Sequence, residues 1–127
     1  MTHQVKFFIA LAVLFSMLTV QLTVTGSALA ADDDLTIKKI MKVAFKGDLV
    51  RKVGTNKATA QEKQELLKLV KAMQGMKPPK GDSESWTEKT KALVDAVQAS
   101  VDGKEDAAML LKKSTNCAAC HKSHKPE

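Results

Sequence analysis

Nine residues near the end of the chain, Cys117-Ala-Ala-Cys-His-Lys-Ser-His-Lys125, hold both cysteines of the sequence and two of its three histidines. Cys117, Cys120 and His121 have the Cys-x-x-Cys-His spacing, which predicts covalent attachment of one c-type haem. Two thiols at that separation add across the two vinyl groups of one porphyrin, and the adjacent imidazole then lies beneath the iron as proximal ligand. Ala118 and Ala119 between them are small and favour a helix, so nothing bulky opposes the ring. Other chemistries fit these residue types less well. A thioredoxin-like dithiol needs a β-α-β setting, for which the chain has no strand pattern. Zinc would draw all four ligands, Cys117, Cys120, His121 and His124, from eight residues of one helix, which closes a tetrahedron poorly. A disulfide between cysteines three apart would constrain the unfolded chain very little.

The elements that must hold these groups read as helices. "ADDDLTIKKIMKVAFKG" places Ile37, Ile40, Met41 and Ala44 at helical spacing, which predicts helix A over about Leu35 to Lys46. A short helical turn is expected before Gly54. Thr59 and Glu62 form a capping box ahead of Leu66, Val70 and Met73 in helix B. Pro78 and Pro79 then force a corner between Gly75 and Asp82. A second capping box, Ser85 with Glu88, opens helix C, whose stripe runs through Trp86, Thr90, Leu93, Val97 and Val101 to a stop at Gly103. The last segment is expected to be one helix D, with Ala107, Leu110, Leu111, Ser114, Cys117, Ala118 and His121 along a single stripe. Four amphipathic helices with short connections predict an all-α, antiparallel four-helix bundle.

The first thirty residues differ in kind from the rest. A short start containing Lys6, the uncharged run "FFIALAVLFSMLTV" and small residues at Ala28 and Ala30 form a secretory signal peptide pattern, with cleavage expected after Ala30. The mature chain, Ala31 to Glu127, is then one domain delivered to the periplasm and free of the membrane. That destination suits thioether attachment. An uncleaved anchor is the competing reading, because residues 7–24 reach the lower limit of a spanning helix. Without the leader the chain carries 19 Lys+Arg against 14 Asp+Glu, a net charge of +5 that is spread along the sequence and includes a single arginine. Nucleic-acid binding is therefore not expected, whereas docking to an acidic partner protein is compatible with such a surface.

A helical chain with Cys-x-x-Cys-His close to its C-terminus resembles the class II cytochromes c, of the cytochrome c-prime and c-556 type. The likeness is carried by "CAACHKSHK", "IKKIMKVAFKG", "PPKGDSESW" and the order of the helices. It implies haem c as the cofactor, and it places Lys125, four residues after His121, at a basic position near the haem. It also implies that the first helix covers the distal face of the haem and that Met41 there is the second axial ligand. The residues themselves leave Met41 open as an ordinary core methionine, since Ile40 and Ala44 share its face. Phe45 would line the distal pocket in either case.

His124, one turn beyond His121 on the same helix, cannot reach the opposite haem face and is expected near solvent or a propionate. The same geometry excludes Met109, about three turns before His121. Met73 and Met76 on helix B are the alternative distal ligands but are expected to serve the core, and Trp86 is expected to serve packing. Lys38, Lys39 and Lys122, with Lys125, are candidates for pairing with propionates or steering a partner. The expected function is one-electron transfer by a periplasmic monohaem cytochrome, without enzymatic activity. If Met41 does not ligate, the five-coordinate iron would instead bind nitric oxide or another small gas. A homodimer is compatible with the size of the chain.

Overall fold

The side chain of Thr36 accepts a hydrogen bond from the Lys39 N–H (3.2 Å) and so starts the first helix of the computed structural model, which describes residues 35–127. The expected signal peptide and its cleavage point lie outside the described residues. The described chain is helical with no strand and belongs to one compact unit, Asp33–Glu127.

Helix α1 is short, Ile37–Ile40, and runs directly into a π-helical segment, Met41–Lys46. The wider turn of a π-helix shifts the phase of the following side chains and is common at functional sites. Within it Ala44 is fully buried, as is Ile40 at the end of α1, while Met41 and Phe45 are half-buried. Gly47 closes the segment by donating its N–H to the Lys42 carbonyl (3.0 Å), a bond of the i to i+5 type. A Cβ at this position would lie 2.3 Å from the Val43 carbonyl oxygen, so only glycine lets the chain leave in this direction.

Helix α2, Leu49–Gly54, is the short turn expected before Gly54, and it buries Val53. Helix α3, Ala60–Gln74, begins at the Thr59 and Glu62 capping box read from the sequence, with both reciprocal hydrogen bonds formed (3.1 and 2.8 Å). Glu62 also pairs with Lys52, tying α2 to the start of α3. Leu66, Leu67, Val70 and Met73 on one face of α3 pack against helix α4, Ser83–Val101, which buries Trp86, Thr90, Leu93, Ala96 and Val97. Burial of each large aliphatic side chain contributes about 2 kcal/mol.

The start of α4 differs from the sequence expectation. Asp82 is the N-cap and accepts from the Ser85 N–H (2.8 Å), so the helix begins one turn before the Ser85 and Glu88 pair. At its end Gly103, with φ of +71°, and Lys104, donating to the Ala99 carbonyl (2.9 Å), form the glycine stop that was expected.

A larger difference concerns the last helix. Helix D is two helices, α5 at Ala107–Ser114 and α6 at Cys117–His124. The Thr115 hydroxyl donates to the Leu111 carbonyl (2.7 Å), and the Asn116 side chain accepts from the Ala119 N–H (3.1 Å), restarting the helix as an N-cap. The single stripe is therefore broken. Leu111 is buried against α4 and α2, whereas Cys117, Ala118 and His121 are exposed on the separate helix α6.

Candidate functional site

The break between α5 and α6 opens a cavity of about 330 Å³. Met41 and Phe45 of the π-helical segment line it, with Met73 of α3 and Thr90 and Leu93 of α4. Cys117, Cys120 and His121 of α6 also line it. The three reactive residues at the chain end and the methionine singled out near the start thus share one cavity. Met41, Phe45 and Cys120 also pack against the main apolar core, so the cavity is a lateral continuation of it.

Both thiols are free. The Cys117 thiol lies exposed, 3.4 Å from the Thr115 carbonyl that it faces as a donor. Cys120, one turn on, is half-buried. Burial pushes the Cys120 thiol above the usual range, the Lys89 ammonium opposes that shift, and the neighbouring Cys117 adds to it. The imidazole of His121 is exposed and has no side-chain hydrogen bond among the described residues, so both ring nitrogens are available. The lining contains no carboxylate, and Lys89 and Lys113 are its charged residues.

His124 does not join this group. It is 3 % exposed and lies at the C-terminal end of α6, outside the cavity lining, where Nδ1 is 3.0 Å from the Lys80 carbonyl and Nε2 is 3.3 Å from Ser85 Oγ. Its ring packs edge-on against Trp86, with centroids 5.3 Å apart. This corrects the expectation of a solvent or propionate neighbour: the side chain fastens α6 to the corner before α4. A zinc site that includes His124 is excluded with it, and no cluster of three His, Cys, Asp or Glu that could hold a metal exists among the described residues.

Gly81 makes the fastening close. With φ of +83° it lies where a Cβ would be 2.4 Å from the Ser123 carbonyl oxygen and 3.1 Å from His124 Nδ1. Trp86, buried as expected, donates its indole N–H to the Met76 carbonyl (2.9 Å) and so ties α4 back to the end of α3.

Lys125 is exposed and does not line the cavity. Its backbone N–H closes α6 on the His121 carbonyl (3.0 Å). Lys38, Lys39 and Lys122 do not line it either, and Met109 is 54 % exposed. The lysines at the cavity, Lys89 and Lys113, were not singled out from the sequence. Lys89 is one turn before Leu93 on α4, a spacing that places it beside a cavity residue, whereas Lys113 lies in the last turn of α5, beside the break where the cavity opens.

Among the described residues no helix is long and apolar enough to cross a membrane. Comparisons of the chain with protein-family models, with curated proteins and with solved structures return no match.

Proposed function

We propose that the chain is an exported monohaem c-type cytochrome of class II type, built as a four-helix bundle, that passes single electrons between periplasmic proteins. One observation carries the reading: Met41, far away in sequence, lines the same cavity as Cys117, Cys120 and His121. The donor set suits the group. It combines two free thiols one helical turn apart, an imidazole with no competing hydrogen bond, and a thioether on another wall. A cavity of this volume is at the small end for ligand sites, so a ring seated there would keep one edge in solvent.

Bound haem supplies a one-electron couple at its iron, with a reduction potential set by the axial ligands and by burial. The residues of the chain divide the remaining work. Cys117 and Cys120 would hold the ring covalently, His121 would supply an iron-binding nitrogen, and Met41 would supply a thioether sulfur that favours the ferrous state. Phe45, Met73 and Leu93 exclude water from the apolar side. The lysine-rich surface suits an acidic redox partner, and no substrate chemistry is required.

Near-infrared absorption of the purified ferric protein tests the distal ligand. A sulfur-to-iron charge-transfer band that is present in the wild type and absent from Met41→Ala is the expected result. A high-spin wild-type spectrum without that band would remove Met41 from the iron and leave the five-coordinate, gas-binding alternative.

A further inference from the structure

Lys89 projects from α4 at the cavity wall, half-buried, and no carboxylate pairs with it among the described residues. An ammonium beside a largely apolar cavity is weakly screened, and its charge is left unmatched. Its position is set by a short hydrogen-bond chain. Lys89 Nζ donates to Ser85 Oγ at 3.0 Å, and Ser85 Oγ is 3.3 Å from His124 Nε2. The Lys80 carbonyl can only accept, so it fixes the hydrogen on His124 Nδ1 (3.0 Å). In the neutral ring Nε2 then accepts from the Ser85 hydroxyl, whose oxygen is free to accept from Lys89. One of the three ammonium N–H groups is used in this way, and two remain for a ligand.

We propose that Lys89 is the anion-binding residue of the cavity, held in place by Ser85 and His124, and that it pairs with a carboxylate of the bound group. The proposal rests on the haem reading above, in which the carboxylate is a haem propionate. Lys113 also lines the cavity but is exposed, so solvent screens it more strongly. The lysines suggested by sequence, Lys38, Lys39, Lys122 and Lys125, do not line the cavity.

The test uses the full chain matured with haem and reads two quantities at fixed pH: the midpoint potential and the propionate bending bands in resonance Raman spectra. Lys89→Gln removes a cation beside the ring, so the potential is expected to fall and the propionate bands to shift. Lys89→Arg is expected to retain wild-type values for both. Ser85→Ala should move both readouts in the direction of Lys89→Gln but less far. Lys91→Gln, on the outer face of α4 where Lys91 pairs with Asp95, should move neither. If Lys89→Gln leaves both readouts unchanged in a haem-bearing protein, the assignment of Lys89 falls while the haem reading stands. It also falls if Lys89→Arg or Lys91→Gln shifts them as far. A wild-type protein that matures without haem overturns both.

Discussion

A buried imidazole at position 124 needs partners for both ring nitrogens, and it has them in the Lys80 carbonyl and the Ser85 hydroxyl. Its edge-on contact with Trp86 adds packing to this polar anchoring. Replacing His124 by Ala would leave a void beside Trp86 and remove the hydrogen bond to the Lys80 carbonyl. A loss of about 2 kcal/mol is expected. Chemical denaturation followed by the fluorescence of the single tryptophan measures it, with a red shift of the native emission as the local sign. An unchanged midpoint would show that the contact does not hold α6. The burial of His124 was not legible in the sequence, because helical phase alone put it beyond His121 on an end expected to be wet. Only the approach of Gly81 to the Ser123 carbonyl makes a buried pocket there, and that contact joins segments about forty residues apart.

At the level of elements, most of the helices were legible and their junctions were not. The capping box at Thr59 and Glu62 and the glycine stop at Gly103 are local, so they could be read directly. The start of α4 was read one turn late because Asp82 and Ser85 are both good N-caps at helical spacing, and the choice depends on how the proline corner enters. The break at Thr115 and Asn116 had a signal, since Ser-Thr-Asn is a capping sequence, but the apolar stripe ran on across it. The π-helical turn had none, because its bonding pattern depends on the packing of Ile40 and Ala44. That turn is where Met41 and Phe45 are aimed at the cavity. Gly47→Ala is therefore expected to cost more than about 1 kcal/mol and to shift the near-infrared band as Met41 is displaced. Thermal unfolding and absorption of the same sample check both, and a wild-type band in a destabilised Gly47→Ala protein would separate the turn from the placement of Met41.

For the whole molecule, the cavity is a gap in the side of the core where a cofactor would complete the packing of a small domain. Cys120, Met41 and Phe45 lie against that core on one side and face the cavity on the other. A chain of this length buries a modest share of its surface, so covalent haem would contribute to folding as well as to redox chemistry. The grouping of Cys117, Cys120 and His121 at the cavity was legible because their spacing is local, and attention to Met41, which lines the same cavity, followed from the resemblance. The cationic wall at Lys89 was not, because it depends on how α4 faces the end of α6. The most direct measurement is the intact mass and pyridine haemochrome spectrum of the protein exported in a bacterium that carries c-type haem maturation. The expected result is a chain heavier by one haem with a two-thioether haemochrome, and no covalent haem in Cys117→Ser/Cys120→Ser. Recovery of the unmodified polypeptide with both thiols titratable would contradict it.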